Sequence, residues 1–230
     1  MRDSRIEFYR CLMMFGICLL HSVSQGEYGN VYLDRALCSC VVGFVVITGW
    51  FGVGFKWMKV ARLLGTAVWC AVVSCLVCGV PKLWFKTLLS YWFVWAYLAL
   101  MLLSPTIDAA IERVKEGKCS YQKLLIPVAM LVFGWGTLAV NHFTIGLTPQ
   151  TPGLESYSGL TLLGIYVVVR LLRVSGLLAK LNLLGELALA AIGLAFVLVG
   201  VSQYNSPFAL MLALGAFLLV NRAKLMGGVR

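Results

Sequence analysis

Arg10–His21, RCLMMFGICLLH, opens the first long apolar segment of the chain and sets the terms for reading the rest. A guanidinium begins it, an imidazole ends it, and the ten residues between them carry no formal charge. On an α-helix, eleven steps of ~100° make three turns plus ~20°, so the two groups share a stripe roughly 16 Å apart along the axis. A bilayer core is about 30 Å thick. One group then sits near a membrane face, the other well inside or toward the far interface. Ionisable groups at such depth are costly and usually face a cavity or a partner rather than lipid. A plainer reading makes Arg10 an interfacial anchor and His21 a helix-packing side chain with one hydrogen bond.

The composition supports a membrane setting. Of 230 residues 61% are hydrophobic and 12% charged, with a mean hydropathy of +0.91. A soluble domain of this size needs a more polar surface. The expected class is therefore all-α, a polytopic transmembrane helix bundle. In a soluble protein the net charge of +10 would suggest nucleic acid. Here the basic residues are better assigned to cytoplasmic loops and anionic headgroups, and no nucleic-acid partner is expected.

A window of about 19 residues yields about eight spans: Phe8–Ser24, Ala36–Phe55, Val60–Val80, Leu88–Ser104, Leu124–Asn141, Tyr157–Leu172, Leu183–Val201 and Pro207–Val220. All are expected to be helices, since backbone in lipid must satisfy its own hydrogen bonds. No repeat or linker divides the chain, so residues 1–230 are read as a single domain. The first segment has the basic start and apolar middle of a signal peptide, but HSVSQG offers no clean cleavage site, and it is read as a retained span. With the N-terminus inside, Arg35, Lys82 and Lys86 alone of the 19 basic residues fall outside. The positive-inside rule thus places both termini in the cytoplasm. Arg10 then lies near the cytoplasmic face and His21 toward the outer half.

The charged loop Pro105–Lys123 is read as a solvated cytoplasmic connector carrying a short amphipathic surface helix, DAAIERVKEGK. The outer loop His142–Ser156 is long enough to fold over a substrate and serves equally well as a connector. The Gly-rich stretches Thr48–Gly54 and 134–136 offer helix breaks or close helix packing. All eight cysteines (Cys11, Cys18, Cys38, Cys40, Cys70, Cys75, Cys78 and Cys119) are expected to act as small buried hydrophobes. No metal site is expected, because CLVC at Cys75–Cys78 has apolar flanks and no second pair with nearby histidines.

Three stretches together resemble the family-three membrane acyltransferases. Arg10 and His21, ten residues apart, match the signature of that family's first span. CVVGFVVITGWFGVGFKW (Cys40–Trp57) resembles its second span, a Phe-rich run ending in Ser/Thr-Gly-aromatic and a basic exit. SYWFVWAYLALMLLSP (Ser90–Pro105) resembles its aromatic span ending in Leu-Leu-Ser-Pro. YSGLTLLGIYVVVRLLRV (Tyr157–Val174) is a weaker echo. The family transfers acyl groups, often acetyl, from a cytoplasmic thioester to extracytoplasmic sugars.

The resemblance implies a membrane O-acyltransferase of the cell inner (plasma) membrane. Its donor would be acetyl-CoA or another acyl-CoA, and its acceptor a sugar hydroxyl of an envelope glycan or lipid-linked saccharide. It assigns His21 the catalytic role. Histidine suits a general base because its unperturbed pKa of about 6.5 lets it take and return a proton near neutrality. His142 is the one substitute. The resemblance assigns Arg10 to the donor, whose phosphates a guanidinium binds in bidentate fashion. Lys56, Lys59 and Arg62 form a basic cluster that suits an acidic cofactor or simply fixes topology. Glu186, if buried, needs His21 or an arginine as partner, whereas Asp34 and Arg35 fit an interfacial pair or an acceptor contact. Family members have about ten spans, so the closing ones are expected to be missing. The alternative is a catalytically degenerate relative or a small transporter in which Arg10 and His21 are structural.

Overall fold

The helix that the others surround is α2 (Val31–Phe51). Val42, Val45, Val46 and Ile47 are consecutive or nearly so, and all are buried. A helix apolar on every face is stable only when protein or lipid covers every face. The computed structural model describes residues 4–24, 30–116, 121–130, 132–133, 159–199 and 206–226. Among them it contains nine α-helices and no strand. Asn30 caps the start of α2, its side-chain oxygen accepting from Tyr32 N at 3.0 Å and Leu33 N at 3.2 Å.

Helix α1 (Ser4–Ser24) packs on α2 through Tyr9, Met13, Gly16 and Leu20, a stripe at helical spacing. Helix α7 (Gly159–Val174) crosses α2 at Gly49, where an added Cβ would lie 2.8 Å from Val169 Cβ. Helices α8 (Leu183–Val199) and α9 (Pro207–Met226) form an intimate pair. A Cβ on Gly215 would stand 2.7 Å from Ala190 N, and one on Gly193 would collide with Leu212 N. Small residues let backbones approach in this way. Phe217 of α9 lies edge-on to Tyr9 at 5.6 Å and tilted against Trp50 at 5.3 Å. The Tyr9 hydroxyl donates to Ala213 O at 2.8 Å and ties α1 to α9.

The other side is looser. Helix α3 (Trp57–Val77) packs on α4 (Trp84–Ser90) around Ala67, Ala71 and Leu88. Trp69, Leu76 and Val77 of α3 are exposed. Helix α5 (Trp92–Glu116) reaches back to α7, against which α6 (Tyr121–Met130) also packs.

Among the described residues three helices have a stretch long and apolar enough to cross a membrane, within Tyr32–Phe51, Trp57–Val77 and Phe93–Val114. Leu183–Val199 and Pro207–Arg222 are apolar and shorter. The structure is thus that of a helical protein with membrane-spanning capacity.

Several expected boundaries move. The second segment stops at Phe51 instead of Phe55, because Gly52 takes φ 78° and its N–H caps Thr48 O at 2.9 Å. With ψ 152° this positive φ is a conformation that glycine, lacking a Cβ, adopts without penalty. The fourth segment breaks at Tyr91 and then runs on through Pro105 to Glu116, so Pro105–Lys123 does not begin as a loop. Pro105 has no N–H for Met101 O. Ser104 Oγ instead lies 3.1 Å from that carbonyl and 2.7 Å from Val53 O, within donating range of both. The expectation of uniformly buried cysteines also fails: Cys38 and Cys75 are buried, whereas Cys11, Cys18 and Cys70 are exposed on their helices and Cys78 in the turn after α3. Cys119, residues 134–141 of the fifth segment and the loop His142–Ser156 lie outside the described residues.

Candidate functional site

Arg10 sits on the first half of α1, on a stripe that continues through Ile17. Ile17 packs against the small cluster of Leu20, Cys38 and Val41, where Phe93 of α5 also packs. Phe93 in turn stacks on Tyr97 with ring centroids 6.1 Å apart, and meets Phe44 edge-on at 6.4 Å. An aromatic seam of α2 and α5 thus runs beside the Arg10 stripe. At its end a cavity of about 200 Å³ is lined by Arg10, Thr48, Gly52, Lys59, Leu63 and Tyr97, among others. Whole small-molecule sites are typically larger, about 300–1,000 Å³. The space fits one group of a ligand, and its two cations select an anionic one.

Arg10 is half exposed and donates through Nη1 to Glu7 Oε1 at 2.8 Å, one turn earlier. Exposed pairs of this kind contribute little, about 0–1 kcal/mol, so Glu7 is a weak competitor for the guanidinium. Lys59 Nζ donates to Gly54 O at 3.3 Å. Lys59 therefore lines the cavity from across the turn that Gly52 makes. Lys56 and Arg62, expected to act with it, are exposed and do not line the cavity.

His21 is helical and lies on α1. Three turns and ~20° separate its backbone from that of Arg10, and the pair shares one face of one continuous helix, roughly 16 Å apart. His21's side chain and all of His142 lie outside what the structure describes.

A second group of polar residues adjoins the Gly52 turn. Asp108 Oδ1 accepts from Arg170 Nε at 2.9 Å and from the Tyr166 hydroxyl at 3.1 Å. The Arg170 guanidinium covers Gly52, its nearest atoms 3.5 Å from where a Cβ would be. Asp108 is therefore no solvated connector residue: it fastens α5 to α7 beside the turn. Periodicity offered the signal. Tyr97, Met101, Ser104, Asp108 and Ile111 follow one another at helical spacing, so extending the buried face of α5 past Pro105 reaches Asp108.

Glu186 is buried and an arginine, Arg222, is its partner. Arg222 donates through Nε to Oε2 at 2.6 Å and through Nη2 to Oε1 at 2.7 Å. The same Nη2 donates to Leu181 O at 2.7 Å. Arg35 Nη1 donates to Leu198 O at 3.2 Å, joining the start of α2 to the end of α8. The cavities that share Gly52 or Trp50 gather Arg10, Lys59, Arg170, Arg173 and Arg222 at the end of the bundle opposite Arg35.

No protein-family model matches the chain, and neither a curated protein nor a solved structure matches it.

Proposed function

We propose that the chain is a membrane O-acyltransferase of the family-three type, in which Arg10 holds the anionic part of an acyl-CoA and His21 activates the acceptor. The observation that carries this reading is the cavity where Arg10 of α1 and Lys59 of α3 converge, Arg10 sharing its helix and face with His21. In this reading all eight apolar segments cross the inner membrane with both termini cytoplasmic. The basic end, with Arg10, Lys59 and Arg173, faces the cytoplasm, as the positive-inside rule favours.

The donor's phosphates engage Arg10, and its pantetheine arm follows the seam beside Phe44, Phe93 and Tyr97 toward His21. The His21 imidazole takes the proton of a sugar hydroxyl as the oxygen attacks the thioester carbonyl. The C–O bond forms, the C–S bond breaks, and the departing thiolate recovers the proton. The products are an O-acyl sugar of an envelope glycan or lipid-linked saccharide, and free CoA.

The Arg10–Glu7 pair favours a second reading, in which Arg10 is structural and the chain is a degenerate relative or a small transporter. Cells carrying the chain, or its His21→Ala or His142→Ala variant, are followed for labelled acetyl passing into envelope glycans. The enzyme reading expects His21→Ala to lower transfer by ~10²–10⁴ with membrane insertion intact, and His142→Ala to be nearly silent. Undiminished transfer by His21→Ala overturns the mechanism, and no transfer by the unmutated chain favours the second reading.

A further inference from the structure

On the other face of the α2 terminus, away from Arg10, a cavity of about 520 Å³ opens between α2, α7 and α9. Its wall carries Trp50, Arg173, Glu186 and Arg222, with Leu178 and Leu218 as apolar lining. Glu186 is matched by Arg222, which uses Nε and Nη2 for the carboxylate and Nη2 again for Leu181 O. Among the described residues Arg222 Nη1 has no partner. Arg173 has no carboxylate partner among them either: its guanidinium carbon lies 5.6 Å from the Trp50 ring centroid and 5.7 Å from that of Phe51. Aromatic faces hold a guanidinium in place without neutralising it. The wall therefore carries a net positive charge, donors in planar forks and an apolar flank.

We propose that this cavity binds the phosphate of an anionic phospholipid, with the Arg173 fork and Nη1 of Arg222 as donors and the acyl chains against Leu178 and Leu218. Guanidinium forks match phosphate oxygens in bidentate geometry, and the site lies at the basic end of the bundle, where anionic headgroups are expected. The inference needs only that the chain lies in a membrane, and is independent of acyl transfer.

The test is lipid retention by the purified full chain in detergent, read by native mass spectrometry. The micelles contain equal amounts of phosphatidylglycerol and phosphatidylcholine with the same acyl chains. The expected result is preferential retention of phosphatidylglycerol, reduced about fivefold by Arg173→Gln and partly kept by Arg173→Lys. Arg62→Gln removes an exposed charge that does not line the cavity and should leave retention unchanged. Glycerol 3-phosphate in the buffer separates two sources of the same chemistry. Failure to displace the lipid assigns the site to a headgroup, and full displacement assigns it to a soluble phosphate compound. Equal retention of the two lipids, or an equal loss in Arg62→Gln and Arg173→Gln, overturns the proposal.

Discussion

The α8–α9 side and the α3–α5 side of the bundle flank the same central helix, yet they treat charge in opposite ways. Between α8 and α9, glycines bring the backbones together, and the buried Glu186 receives a two-point contact from Arg222. Between α1, α3 and α5 the packing is open enough to leave a cavity, and among the described residues Arg10 pairs only with the exposed Glu7 one turn away. The Glu186 pair, with the Leu181 carbonyl, takes up Nε and Nη2 of Arg222 and leaves only Nη1 for a ligand. A half-exposed arginine at a cavity wall keeps its donors available. Burial of charge alone is thus a poor guide to function in this protein, and the less buried arginine is the better candidate.

The contrast breaks most readily at Arg222. Arg222→Leu strands the buried Glu186 carboxylate without a counter-charge, which is strongly destabilising. We expect a large fall in the thermal midpoint of the detergent-solubilised protein. Glu186→Leu added to Arg222→Leu should restore most of it, because an apolar pair of similar volume removes the stranded charge. A small effect of the single variant would erase the difference between the two sides. Gly52→Ala comes next. The φ of 78° with ψ 152° is an essentially glycine-only conformation that costs an L-residue about 1–3 kcal/mol, and the shift in the turn should loosen the Arg170–Asp108 contact as well as stability. Equal stability of Gly52→Ala and the parent would mean that the turn does not hold this conformation. Lys59→Gln should be the mildest, with a stability change within about 0.5 kcal/mol and a measurable loss of acyl-CoA binding. A stability loss as large as that of Arg222→Leu would make Lys59 a structural residue.

The helices were legible in the sequence because a span must be apolar for most of its length, and every expected segment coincides at least in part with a helix among the described residues. Their ends were less so. Gly52 ends α2 through its backbone conformation, while α5 runs on through Pro105, with the Ser104 hydroxyl within reach of both the freed Met101 carbonyl and Val53 O. Both outcomes depend on local geometry that composition does not carry. Arg10 was legible as a lone charge in an apolar run. Helical spacing along α5 reaches Asp108, but its pairing with Arg170 was not legible, since 62 positions separate the two and only the folded chain brings them together. Glu186 invited an arginine, but the choice of Arg222 rests on the close approach of α8 and α9. The exposed cysteines follow from the same difficulty: an apolar helix shows which residues avoid water, not which face neighbouring helices.

Binding of acyl-CoA to the purified chain, compared between the parent, Arg10→Lys and Arg10→Gln, tests the central claim most directly. Hydrogen bonds to charged groups contribute about 1.5–3 kcal/mol, so Arg10→Gln should weaken binding by about 10–100-fold. Arg10→Lys keeps the charge without the planar fork and should fall between that variant and the parent. Thermal midpoints should stay close to that of the parent in both. Affinity unchanged in Arg10→Gln would contradict the account.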